Sequence, residues 1–263
     1  MFLVGPSGVG KSTIVHDYWN ENPPEDRDER TVRPVIYGSL KKGGDRAVMA
    51  TLLRAAGDVA PDKGKDIQEM IHRLARHVAE CGTRLIIVDE IHHVLPEHNT
   101  TARTQIAADL IKSLIDELQA SLVLVGLPES QRLLNAQRRG DADKDQLRRR
   151  FRRTVHIEPP ALSDKEWKDM LGTYQDAMGV PCIRLFGEEM RARLYLATNG
   201  LHGRLANLLV EVLEEWDGQS QVTLEDFARA HEESASVHDI PENPFTIAPK
   251  EVERHLQRMS DRK

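Results

Sequence analysis

The sequence predicts an α/β protein in which a parallel sheet flanked by helices is followed by an all-helical segment. Three observations predict it. Residues 85–88 (Leu-Ile-Ile-Val) and 122–125 (Leu-Val-Leu-Val) are short, unbroken apolar runs, the composition of strands covered on both faces. Near them lie stretches with apolar residues at helical spacing, such as Ile67, Met70, Ile71, Leu74 and Val78. Beyond Pro159-Pro160 the strand-like runs stop and only helical patterns remain.

In chain order, residues 1–4 read as a strand and 11–19 as the helix after it. Residues 22–30, polar with Pro23-Pro24, read as a loop, and 33–37 as a short β-prone run. Residues 45–56 have a helical pattern that stops at Gly57, and 66–79 form the next helix. The strand at 85–88 is followed by a helix over 101–119 carrying Ile106, Leu110, Ile111, Leu114, Ile115 and Leu118. The strand at 122–125 closes at Gly126 and Pro128, and 154–157 is the last strand candidate. Ser163 and Glu166 have capping-box spacing. Helices over 191–197, 201–216 and 224–230 complete the helical part, and the polar tail from Ser234 reads as poorly ordered or partner-docking.

Bulk properties narrow the function. The chain has 263 residues and a net charge of −6, so any contact with nucleic acid must come from a local basic patch. Cys81 and Cys182 are far apart and outside any CxxC pattern, which indicates neither a disulfide framework nor a zinc site. No apolar run is long enough to span a bilayer, and a cytoplasmic protein without membrane contact is expected. Nothing precedes the first strand, so an upstream segment is expected to be missing.

Residues 5–12, Gly-Pro-Ser-Gly-Val-Gly-Lys-Ser, fit G-x-x-x-x-G-K-[ST] between a strand and a helix. This is a phosphate-binding loop. Gly5, Gly8 and Gly10 let backbone N–H groups turn inward, and the helix N-terminus adds partial positive charge. Pro6, Ser7, Val9 and Thr13 complete the cradle, Lys11 can reach the β- and γ-phosphates of ATP, and Ser12 can place its hydroxyl on Mg²⁺. The strand at 85–88 delivers Asp89 and Glu90 at its C-terminal end, where ligands sit in open α/β sheets. Asp89 is the second candidate for Mg²⁺, and Glu90 the candidate base for the attacking water. His92 and His93 follow without the spacing of a metal site and read as structural. After residue 125, apolar Leu127 stands where a polar γ-phosphate sensor would be expected, with Glu129 and Ser130 as alternatives.

Residues 138–153 are the most basic stretch. An arginine there can complete a neighbouring subunit's site; Arg150 is the first candidate and Arg149 the second, against the alternative of a solvated loop. Arg204, in Gly-Leu-His-Gly-Arg, opens a later helix and is positioned to point back at nucleotide. Lys41, Lys42, Lys63 and Lys65 lie in loops suited to phosphate contacts, or are solvated surface lysines.

Together these motifs resemble an AAA+ ATPase, a P-loop NTPase with a C-terminal helical lid, over residues 1–231. The resemblance divides the chain into a nucleotide-binding domain at 1–160, a lid at 161–233 and a tail at 234–263. More narrowly, Val-Asp-Glu-Ile-His-His-Val-Leu (88–95), residues 122–130, Leu-Arg-Arg-Arg-Phe (147–151) and Asn243-Pro244-Phe245 are similar to the TniB/TnsC transposition ATPases. That resemblance implies a homo-oligomer, ring or helical filament, which binds ATP and double-stranded DNA. It also implies that the assembly links a target-selection protein to a transposase and that an upstream segment completes the adenine pocket. The competing readings are an AAA+ helicase loader or replication initiator, and a nucleotide-switched signalling module that binds no DNA; a metabolic P-loop kinase fits the helical lid and the arginine segment less well.

Overall fold

A computed structural model describes residues 1–28, 30–95, 101–135, 146–151, 153–233 and 242–261. Arg138, Arg139, Lys144 and Arg152 of the basic stretch lie outside the described residues, as does the start of the tail at 234–241. The chain divides into two compact units, Met1–Ile157 and Glu158–Lys263.

The first unit alternates strand and helix. It runs β1 (Phe2–Val4), α1 (Lys11–Asn20), β2 (Glu25–Arg27), β3 (Arg30–Val32), β4 (Val35–Ser39), α2 (Asp45–Ala56), α3 (Ile67–Glu80) and β5 (Leu85–Asp89). Then come α4 (Thr101–Glu117), β6 (Ser121–Gly126), α5 (Gln146–Arg150) and β7 (Thr154–His156). Among the described residues β4-β5-β6-β1-β7 form one five-stranded sheet, and every pairing in it is parallel.

The two-residue period of each strand sorts its side chains to the two faces. Phe2, Val4, Ile36, Ile86, Val88 and Leu124 join the core built with α2, α3 and α4. Leu3, Val35, Ile87, Val123 and Val125 face the other way, with Val15 and Trp19 of α1. The apolar runs are therefore unbroken because both faces are covered. Glycine ends α2: Gly57 has φ of 87° and lets Asp58 N–H bond the Leu53 carbonyl at 2.9 Å. Asp66 caps α3, accepting from Glu69 N–H at 2.8 Å.

Two readings change here. Residues 22–30, expected as a loop, contain most of the β2–β3 hairpin, registered Glu25 to Val32 and Arg27 to Arg30. The ribbon is polar and largely exposed, so it lacks the apolar alternation that reveals a strand. The next strand begins at Val35 rather than Arg33; Arg33 instead donates to the Ala55 carbonyl at the end of α2 at 3.0 Å.

The second unit contains α6 (Lys165–Met178), α7 (Glu188–Thr198), α8 (His202–Glu214), α9 (Leu224–Glu233) and α10 (Pro249–Ser260). Trp167, Leu171, Leu194, Leu205, Leu209 and Phe227 form its core. The expected capping box does not form: Asp164 is the N-cap of α6 and makes no side-chain cap bond, while its carboxylate accepts from Ala161 N–H at 2.7 Å. The tail also differs from expectation. Phe245 is buried beside Phe227, ring centroids 5.5 Å apart, and Arg193 donates to the Pro244 and Ile247 carbonyls at 2.6 and 2.9 Å. Residues 242–261 are thus part of this unit, because Phe245 buries apolar area and buried Arg193 needs acceptors. No helix among the described residues is long and apolar enough to cross a membrane.

Candidate nucleotide site

The loop between β1 and α1 is shaped by its glycines. Gly8 and Gly10 have φ of 76° and 100°, conformations that side chains oppose. At Gly5 a Cβ would lie 2.3 Å from the Ile157 carbonyl oxygen, so the loop leaves the sheet where only glycine fits. Gly10 is the N-cap of α1 and supplies no side-chain cap, and the first turn holds no acidic residue. Its leading N–H groups are therefore available to an anion.

Lys11, 8% exposed, folds over this loop and donates to the Gly5 and Pro6 carbonyls at 2.9 and 2.8 Å. Burial lowers its pKa, while Glu90, Asp89 and Glu129 oppose the shift. The lysine and three carboxylates thus share one electrostatic neighbourhood. Ser12 and Thr13 are exposed in the first turn of α1.

Asp89 ends β5 with 1% exposure. Its Oδ2 accepts from the Tyr37 hydroxyl at 3.0 Å and its Oδ1 from Glu90 N–H at 2.7 Å. Burial, with the Asp89 charge, pushes the Tyr37 hydroxyl above its ordinary pKa and keeps it a donor. Each carboxylate oxygen retains a further lone pair. The donor set fits Mg²⁺, a hard cation bound by oxygen, with Asp89 and Ser12 as the residues that would hold it. Tyr37 was not singled out from the sequence; its place in a β-prone run beside a second carboxylate-bearing strand was the available signal.

Glu90 adopts φ 58°, ψ 36°, a left-handed conformation that a non-glycine residue holds at a cost of about 1–3 kcal/mol. The kink opens a 3₁₀ turn over Ile91–Val94. It brings Glu90, His92 and His93 together, with a ligand atom from each within 4.8 Å of the others, a proximity that their sequence spacing does not reveal. Burial lowers the His92 pKa, against the opposing Glu90 charge.

After β6, a 3₁₀ stretch over Pro128–Asn135 passes the same end of the sheet. Leu127 is half-buried. Ser130 is fully buried, with its hydroxyl 2.6 Å from where a Gly126 Cβ would stand. Glu129 is exposed and lies within electrostatic reach of Lys11 and His92. Of the two sensor alternatives, Glu129 is the one placed toward the lysine.

The arginines lie elsewhere. Phe151 packs edge-on against Phe2, centroids 5.6 Å apart, and Phe2 N–H bonds the Arg153 carbonyl at 2.9 Å. Arg150 is ion-paired with Asp116 and donates to the Lys112 carbonyl at 3.3 Å, near the end of α4. These contacts put α5 at the strand-start end of the sheet, opposite the phosphate loop. Arg149 is exposed on the same short helix. Neither is brought to its own chain's Lys11. Arg204 stands in the first turn of α8, in the second unit.

All four candidate lysines are exposed. Lys41 and Lys42 follow β4, and the Leu40 N–H between them and the strand bonds the Asp89 carbonyl at 3.0 Å. Lys63 and Lys65 sit on the loop between α2 and α3, which Arg73 fastens by bonding the Asp58 carboxylate and the Ala60 carbonyl. Arg46, at the start of α2, donates to the Gly64 carbonyl at 2.6 Å. The two lysine pairs are thereby gathered around the N-terminus of α2, at the sheet end that carries Asp89.

Comparison with known proteins agrees with this architecture. The family described as Bacterial TniB protein matches residues 1–158. No match is found among curated proteins. Among solved structures, Cdc6p from Pyrobaculum aerophilum superposes with a TM-score of 0.61 at 16% identity, over 87% of this chain and 59% of that one. Aeropyrum pernix Orc1, in complex with DNA, gives 0.57 at 17% identity, over 88% and 58%. The Walker-type ATPase PABY2304 of Pyrococcus abyssi gives 0.55 at 15% identity, over 100% and 71%. The chain thus spans less than two thirds of the length of the first two, and the likeness is one of fold, the AAA+ P-loop fold.

Proposed function

The chain belongs to the bacterial TniB family, and from that premise we propose that it is an ATP-hydrolysing AAA+ regulator of DNA transposition, assembled on double-stranded DNA between a target-selection protein and a transposase. The observation that carries the nucleotide reading is the convergence of Lys11, Asp89 and Glu90 at the uncapped start of α1. Lys11 would exchange its bonds to Gly5 and Pro6 for the β- and γ-phosphates. Ser12 and Asp89 would hold Mg²⁺, which when bound offsets phosphate charge. Glu90 would orient a water and take its proton. Arg150, remote from its own phosphate loop, would release Asp116 and reach the nucleotide of the next copy.

DNA contact is assigned to Lys41, Lys42, Lys63 and Lys65, because they are exposed and gathered at the nucleotide end of the sheet. Contacts of this kind hold phosphates without reading bases. A replication-initiator or helicase-loader role is the second reading, favoured by the likeness to Cdc6p and DNA-bound Orc1. DNA binding titrated with salt, with and without ATP, tests the proposal. Binding should require ATP, and changing Lys41 and Lys42 together to Ala should lessen the log–log salt slope by about 2. An unchanged slope removes these lysines from the interface, and ATP-independent binding removes the switch.

A further inference from the structure

The histidines beside Glu90 are not needed for nucleotide chemistry, yet the fold draws them to it. Glu90 is the residue before the 3₁₀ turn, and its carbonyl accepts from His93 N–H at 2.9 Å. The left-handed Glu90 and the tight turn after it leave the three side chains close together. The His92 and His93 rings lie 4.2 Å apart between centroids. Nδ1 of His92 approaches Oε2 of Glu90 to 3.0 Å, yet this buried nitrogen makes no hydrogen bond. The nitrogen and the carboxylate oxygen are thus already close to the separation of two ligand atoms on one ion. Among the described residues these three side chains form the one group able to offer three ligand atoms within 4.8 Å.

We propose that Glu90, His92 and His93 bind a divalent transition-metal ion of the zinc class. Ligand chemistry separates this site from the neighbouring magnesium residues. Two imidazoles and one carboxylate suit zinc, cobalt or nickel, whereas magnesium prefers oxygen donors such as Asp89 and Ser12. Tetrahedral bonds of about 2.0–2.1 Å put ligand atoms roughly 3.4 Å apart, so small side-chain rotations complete the site. The surrounding charge favours a cation, with Asp89 and Glu129 nearby and Lys11 in opposition. With three protein ligands, the ion keeps an open position for water. An ion held here occupies the Glu90 carboxylate and so blocks its use as a base. That consequence, unlike the site itself, rests on the proposed role of Glu90.

The test uses the full chain, freed of nucleotide and metal, titrated with Zn²⁺ against a chromophoric chelator and with Co²⁺ by its visible absorption. The parent should bind about one ion per chain at this site, with imidazole-type cobalt bands. H92A, H93A and the double variant, each checked for folding by circular dichroism, should weaken binding about tenfold or more. Zinc should also inhibit ATP hydrolysis by the parent at the concentration that fills the site. Absence of binding by the parent, or parental affinity in the double histidine variant, overturns the site. If the histidine variants lose zinc but E90Q hydrolyses ATP at the parental rate, the metal site stands and the base assignment falls. If E90Q is inactive while the parent binds no zinc, the reverse holds.

Discussion

At the scale of single residues, the site depends on groups held against their ordinary preferences. Glu90 occupies a left-handed conformation, and Lys11 keeps its ammonium among backbone carbonyls at a burial that disfavours charge. In the proposed function both arrangements would serve a bound phosphate: the lysine would gain a stronger partner, and the kink would set a carboxylate beside it. Lys11→Ala should therefore lose nucleotide affinity through its missing charge-assisted bonds, about 1.5–3 kcal/mol each, or about 10- to 150-fold in Kd per bond. Equilibrium binding of a fluorescent ATP analogue measures this, and near-parental affinity would contradict the placement. The motif residues were legible because their chemistry is tied to local spacing. The His92–His93–Glu90 cluster and the Tyr37–Asp89 bond were not, because one depends on a backbone kink and the other on strand register.

At the scale of elements, the lysine-bearing loop between α2 and α3 is held by a buried cluster. Asp58 accepts from Arg73 and lies 3.0 Å from His77, with its side chain 5% exposed. Burial alone would raise the Asp58 pKa, but Arg73, the Ala60 N–H and His77 bring it below its ordinary value of 3.8. A depressed carboxylate stabilises the fold fully above its unfolded value and stops doing so as pH falls through its folded value. Asp58→Asn should cost about 1.5–3 kcal/mol at neutral pH, since it leaves Arg73 without its charged partner. Urea unfolding should show the deficit narrowing below pH 3.8; a deficit that does not change with pH would contradict this account. Elements buried on a regular face were legible from pattern, as in α3 with Met70, Ile71, Leu74 and Val78. The β2–β3 ribbon and α10 were not, because α10 buries only Val252 and the ribbon buries nothing in full. The packing that holds the tail, Phe245 and Arg193, joins residues about fifty positions apart.

At the scale of the whole molecule, the phosphate loop and Arg150 sit at opposite ends of one sheet, so the role proposed for Arg150 requires two copies placed head to tail. Arg150→Ala should bind ATP but hydrolyse it about 10³-fold or more slowly. Mixing it with Lys11→Ala should restore part of the turnover, since each chain supplies what the other lacks; Arg149→Ala in parallel distinguishes the two arginines. Full activity of Arg150→Ala alone would contradict a shared site. The role of Glu90 as base in ATP turnover is tested most directly by comparing Glu90→Gln with the parent in equilibrium ATP binding and in phosphate release. Binding should be unchanged and turnover should fall by about 10²–10⁴; phosphate release by Glu90→Gln at the parental rate would contradict that role.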